Sequence, residues 1–230
     1  MKFKSIMVSS ASGSAGGTTW SHNAYGKYIR ERSIPTNPQS AAQTSVRNAM
    51  ATITSAWSNA LTAAQRAAWS VYGQNVAMTD ALGDTIYLSG LAHYVRSNVP
   101  RLRAGLARVD DGPTNFTLPE TDTAYAITCS EAAQTVAVTF DDTATWCDTD
   151  GAAMIVQQSP PQNVSINFHG SPIRFCDSID GDSGTPPTSP AALATVWAFI
   201  EGQRIFTRAR ISLADGRLSY PFLGSVDCTA

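Results

Sequence analysis

The segment Asp110-Asp-Gly-Pro-Thr114 separates two hydrophobic periods. Before it, apolar residues recur three and four positions apart; after it, they alternate. The first spacing buries one stripe of a helix and the second buries one face of a strand. A chain with both patterns, one after the other, is expected to be α+β in two parts. The parts expected are an extended arm over residues 1–38, a helical domain over 39–110, and an all-β sandwich over 114–230.

The helical part has readable ends. Val46, Met50, Ile53 and Trp57 fall on one stripe, predicting a helix from about Ser40 to Asn59. Thr62 with Gln65 three residues on is a capping box, and it opens a second helix carrying Ala68, Trp69, Tyr72 and Val76. The connection Asn59-Ala-Leu-Thr62 is short, which predicts that these two helices pair as an antiparallel hairpin. Gly83-Asp84 signals a turn. Ser89 then caps a third helix carrying Leu91, Tyr94 and Val95, with a break at Pro100 near Leu102. Arg101, Arg103 and Arg108 cluster at its end, where cations suit the helix dipole.

In the second part Val136, Val138 and Phe140 alternate with smaller residues. Met154 and Val156 do the same, then Val164, Ile166 and Phe168, then Ile173 and Phe175. Ile205, Thr207, Ala209 and Ile211 share one strand face, and Phe206, Arg208 and Arg210 share the other. Short strands separated by turn signals predict a sandwich of about seven strands.

Charge is divided as sharply as period. Residues 1–110 hold 11 Lys/Arg and 4 Asp/Glu, and residues 111–230 hold 5 and 14. Charged residues make up only 15% of the chain, against roughly 25% in ordinary soluble domains. So neutral a surface suits a protein that covers much of itself against neighbours. Residues 8–19, VSSASGSAGGTT, cannot bury a core. Beyond them Trp20, Tyr25 and Tyr28 interleave with Lys27, Arg30 and Arg32. Cations and aromatics together suit phosphate and base stacking. They equally suit an arm laid across an acidic protein surface with tyrosines as anchors, and the protein neighbour is the expectation.

Residue types needed for catalysis or metal binding are sparse. The histidines are His22, His93 and His169, and no GxSxG elbow accompanies them, so no catalytic residue is assigned. Cys129, Cys147, Cys176 and Cys228 form no CxxC pair and are read as buried thiols, with disulfides formed after release as the alternative. No cofactor is expected. Asp177, Asp180 and Asp182 crowd one loop and are the weak candidate for a hard cation, although their spacing departs from the EF-hand pattern. Asp141, Asp142, Asp148 and Asp150 lie in a turn beside Trp146, without the groove-lining aromatics a glycosidase uses. Gly13 to Gly17 lacks the GK[ST] ending of a phosphate loop and reads as a hinge. The N-terminal residues lack the apolar core of a signal peptide, and no run approaches membrane-spanning length, so synthesis in a cytoplasm is expected.

Two resemblances add to this reading. GGTTWSHNAYGKYIRERSIPTNPQSAAQTSVRNAM, then LTAAQRAAW between Trp57 and Trp69, then LSGLAHYVRSNVPRLRAGL, resemble a group of uncharacterised phage and prophage proteins. The likeness covers about residues 15–107 and implies a virion or assembly context, with no chemistry attached. GQRIFTRARISLADGRLSYP, residues 202–221, resembles the last two strands of a fibronectin type III or immunoglobulin-like module. With the missing acid–base constellation counting against an enzyme, they point to a non-enzymatic virion component, first a capsid decoration or cement protein, expected to be made in the host bacterial cytoplasm. Its partners would be capsid or tail subunits and further copies of itself. A head–tail connector, a tail component, or a host-surface adhesin using the sandwich are the alternatives.

Overall fold

A computed structural model of the chain describes residues 12–23, 26–34, 36–80, 82–168 and 172–229. The chain forms two compact units, Met1–Ser40 and Ala41–Ala230. Its class is α+β, with three helices and antiparallel strands in several sheets among the described residues.

The first unit is a three-stranded antiparallel sheet in the order β1 (Gly13–Ala15), β2 (Thr18–Asn23), β3 (Gly26–Glu31). The expected extended arm is therefore folded back on itself. Gly16-Gly17, read as part of a hinge, makes the tight β1–β2 turn, and Gly16 sits at φ +58°, where a side chain would be strained.

In the second unit α1 (Ala41–Asn59), α2 (Ala63–Asn75) and α3 (Gly90–Arg103) form where the periodicity places helices. The capping box at Thr62 is made in full: its Oγ1 accepts from the Gln65 N–H at 3.2 Å, and Gln65 Oε1 accepts from the Thr62 N–H at 2.9 Å. Ser89 caps α3 with a single bond, its Oγ accepting from the Ala92 N–H at 3.3 Å.

Three details depart from expectation. First, α1 and α2 do not pair as a hairpin; both pack on α3. Tyr94 of α3 places its ring 5.5 Å from Trp57, tilted, and 5.5 Å from Trp69, edge-on, so one aromatic cluster fills the space between the two tryptophan-bearing helices. Second, α3 runs through Pro100. It ends instead at Gly105 (φ +80°), where the Leu106 N–H reaches back to Arg101 O at 2.9 Å in a Schellman closure. Third, α1 buries Ala49, Ile53 and Ala56, while Val46 and Met50 of the expected stripe are exposed. Alanines admit a close approach to α3 that larger side chains on that face would prevent.

A small hairpin of β4 (Ala77–Thr79) and β5 (Thr85–Tyr87) joins α2 to α3. The remaining strands form two sheets. One has β6 (Ala126–Ser130), β7 (Thr135–Thr139) and β11 (Ala191–Ala194) in the order β11-β7-β6. The other has β8 (Ala153–Gln158), β9 (Gln162–Asn163), β10 (Arg174–Asp180), β12 (Gln203–Ser212) and β13 (Phe222–Asp227), in the order β10-β8-β12-β13 with β9 beside β12. Val136, Val138, Met154, Val156, Ile205 and Ala209, drawn from both sheets, are buried in one cluster. Ile205, Thr207, Ala209 and Ile211 share the buried face of β12, as their alternation predicts. The predicted strand through Val164, Ile166 and Phe168 does not form; β9 ends at Asn163, and Phe168 is 80% exposed. Asn163 accepts from the Ser165 N–H at 3.0 Å, a turn that competes locally with pairing.

The compositional step at residues 110–114 is where helices give way to strands, and it is tightly tied. Trp69 Nε1 donates to Asp110 O at 2.9 Å, and Tyr94 Oη donates to Asp110 Oδ1 at 3.0 Å. The Gly216 turn (φ +89°) comes so close that a Cβ there would lie 3.3 Å from both Trp69 and Val109. Within Ala41–Ala230, helices and strands therefore share one continuous packed body.

Candidate partner-binding site

The six residues expected to anchor the arm divide between two faces of its sheet. Cross-strand pairs Thr18–Glu31, Trp20–Ile29 and His22–Lys27 place Trp20 and Lys27 on one face. Thr19–Arg30 and Ser21–Tyr28 place Tyr28 and Arg30 on the other. Arg32, just past β3 with its N–H bonded to Gly17 O at 2.8 Å, continues that second face by alternation. Tyr25 lies outside the described residues. The patch read as one surface from the interleaved sequence is thus two: an aromatic–aliphatic pair flanked by Lys27, and a tyrosine with arginines.

Lys27, Arg30 and Arg32 are exposed, and none is ion-paired among the described residues; Trp20 and Tyr28 are half-buried. Taken by itself the sheet offers Trp20 and Ile29 as its principal apolar pair. Three short strands with so little apolar area gain little from their own packing. The exposed cations suit contact with an acidic or anionic surface.

The second unit adds a nearly charge-free helical surface. Only three of the 19 residues of α1 are buried, and Arg47 is its one charged residue. No Asp or Glu occurs between Arg32 and Thr79. Val46 and Met50 on α1, and Leu82, Ile86 and Tyr87 on the β4–β5 hairpin, are exposed apolar residues.

The strand-rich part carries the acidic charge at one end. A cleft of about 420 Å³ has Glu120, Asp122 and Asp141 beside an apolar wall of Trp146, Ile211 and Leu213. Most carboxylates in these loops are engaged in shaping the backbone. Asp122 accepts from the Ala124 and Asp141 N–H groups, at 2.8 and 2.9 Å. Asp150 accepts from the Ser183 N–H at 2.8 Å, and Asp182 from the Gly184 N–H at 2.7 Å. Hydrogen bonds from Thr143 hold Asp141 below the usual carboxylate range. Asp177, Asp180 and Asp182 do not converge. Asp177 and Asp180 lie along β10, past a bulge between Phe175 and Asp177, while Asp182 turns back onto its own loop. Among the described residues no group of three or more His, Cys, Asp or Glu could hold a metal ion, which corrects the cation candidate.

His22 is exposed on β2, His169 lies outside the described residues, and His93 is fully buried on α3 with its ring 5.0 Å from Tyr72. Burial, reinforced by Arg96, pushes His93 down to about 4, so it is neutral near pH 7. The arginines on and just after α3 are structural. Arg101, 2% exposed, donates to Ala107 O, Ser212 Oγ and Leu213 O, all at 3.0 Å. Arg96 donates to Leu218 O at 2.9 Å and Ser219 O at 3.0 Å. Arg108 pairs with Asp110 at 2.5 Å. The helix dipole explains neither placement: Arg101 reaches acceptors at the end of β12 that no local pattern announces, and Arg108 pairs two positions along the chain with Asp110. Among the described residues no helix is long and apolar enough to cross a membrane. No family model, curated protein or solved structure matches this chain.

Proposed function

We propose that the chain is a non-enzymatic structural component of a tailed-phage particle, held to its neighbours through the β1–β3 sheet and the exposed surface of α1. Capsid decoration or cement is the first assignment within that reading, and a head–tail connector or tail component is the second. The two antiparallel sheets with their common core are read as an immunoglobulin-like sandwich that projects from the particle or bridges copies. The phage and prophage resemblance over residues 15–107 supplies the context.

The observation that carries the docking role is the N-terminal sheet: it lies in a compact unit of its own, and among the described residues it has one main apolar pair and three exposed cations without an ion pair. Such a segment gains more by covering Trp20 and neutralising Lys27, Arg30 and Arg32 against a partner than by its own packing. Repetition of the contact around a symmetric particle would multiply modest individual affinities. The low-charge α1 surface supports the same role. Asp122 and Asp141 of the acidic cleft accept from backbone N–H groups, which supports a structural use for that end.

Mass spectrometry of purified particles from a host expressing the chain tests the assignment; absence from washed particles would refute it. In the same preparation, Trp20→Ala combined with Arg30→Glu is expected to lower incorporation at least tenfold. Normal incorporation of that variant would remove the N-terminal sheet from the docking role.

A further inference from the structure

Two of the four cysteines meet. Cys129 lies in β6, and Cys228 directly follows β13. A parallel bridge between Ser130 and Thr229 sets the two segments side by side, so that one residue earlier Cys129 stands opposite Cys228. Paired strands run about 4.8 Å apart, inside the window of about 4.4–6.8 Å between Cα atoms that a disulfide requires. Both side chains belong to the cluster between the sheets, Cys228 buried and Cys129 half-buried. The Cys228 backbone is held on both sides: its N–H donates to Gln203 O at 2.7 Å, and its carbonyl accepts from the Gly202 N–H at 3.0 Å. The other cysteines are differently employed. Cys147 Sγ donates to Asp141 O at 3.6 Å, and Cys176 Sγ to Ala194 O at 3.1 Å.

We infer that Cys129 and Cys228 are a modification site: they form an intramolecular disulfide when the protein passes from a reducing to an oxidising environment. The bond joins β6 of one sheet to the end of β13 of the other and closes a covalent ring around the strand-rich part. The oxidant is a low-molecular-weight disulfide such as oxidised glutathione. The half-buried Cys129 attacks it as thiolate, forming a mixed disulfide and releasing one glutathione thiol. Cys228 loses its proton and attacks the Cys129 sulfur, and the second glutathione leaves as thiolate. Two protein thiols are oxidised and one glutathione disulfide is reduced to two thiols. Burial, then contact with Cys129 and the nearby Asp227 and Glu131 charges, push the Cys228 thiol up to about 12. That assigns the first attack to Cys129 and makes ring closure slow while the fold is closed.

The test uses the purified full chain, reduced, then incubated with excess oxidised glutathione, denatured, alkylated and weighed intact. The four free thiols are expected to fall to two, with the loss of two hydrogens and a peptide linking Cys129 to Cys228. Closing a ring of about 100 residues is expected to raise Tm by roughly 10 °C, reversed by dithiothreitol. Cys147→Ser leaves the product unchanged, and Cys129→Ser abolishes it. Four free thiols after prolonged oxidation, a different pairing, or a mixed disulfide that persists at Cys129 would each overturn the inference. None of these results depends on whether the chain enters a particle.

Discussion

Arg101→Ala cuts the tie between the helical and strand-rich parts at its most buried point. The wild-type guanidinium holds Ala107 O in the loop after α3 and Ser212 Oγ and Leu213 O at the end of β12, all at 3.0 Å. Hydrogen bonds from a charged donor are worth about 1.5–3 kcal/mol each. Part of that sum is offset by the arginine's own desolvation, which lowers its pKa from the ordinary value. Removing the side chain also leaves a cavity and takes the donor from Ala107 O, while Leu213 O keeps only the Gly216 N–H. The net loss expected is about 3–5 kcal/mol, a large share of the roughly 5–15 kcal/mol that stabilises a typical domain. Urea titration followed at 222 nm, which reports mainly helix, and in the near-ultraviolet, which reports packed aromatics, measures it. Because Arg101, Arg96 and Trp69 join the two parts, both signals are expected to move together, with one midpoint in wild type and one lower midpoint in the variant. Two separate transitions in wild type, or a variant loss below about 1 kcal/mol, would refute the view that Ala41–Ala230 is one cooperative body.

Two further outcomes follow from the same geometry. His93 is expected to make stability pH-dependent. Its folded pKa, about 4, lies below the unfolded value of about 6.5. The unfolded chain therefore binds more protons in that window, and stability present above pH 6.5 is lost as pH falls toward 4, by about 3 kcal/mol at most. His93→Phe should flatten that slope in urea midpoints measured across the window; an unchanged slope would assign it to other groups. Thr62→Ala removes the capping box of α2 and should cost about 1 kcal/mol, read as a lower urea midpoint with unchanged slope. A neutral result would mean that the first turn of α2 is held by packing alone.

Legibility followed the range over which each interaction acts. The helix starts at Thr62 and Ser89, the alternation along β12 and the turn at Ala214-Asp-Gly216 involve residues a few positions apart, and sequence spacing displays them directly. Local signals misled where a longer-range contact or turn overrode them. Pro100 reads as a break, yet α3 continues to its Schellman closure at Gly105. Val164, Ile166 and Phe168 alternate like a strand, yet the turn at Asn163 ends the pairing. The anchoring residues were legible as types but not as faces. Once β2 and β3 pair in register, side chains adjacent in the list point to opposite sides, and Trp20 separates from Arg30.

The amino-acid sequence by itself determined the α+β class, the three helices, the change from helices to strands after residue 110, the basic and acidic halves, and the helix caps, because periodicity, charge and capping are properties of neighbouring residues. Tertiary structure alone decided that Tyr94 would sit between Trp57 and Trp69 and that Arg101 would reach Ser212. It also decided that Cys129 would face Cys228, 99 positions further along the chain. Each of these brings together residues far apart in sequence, and only close packing of one element on another supplies the distance.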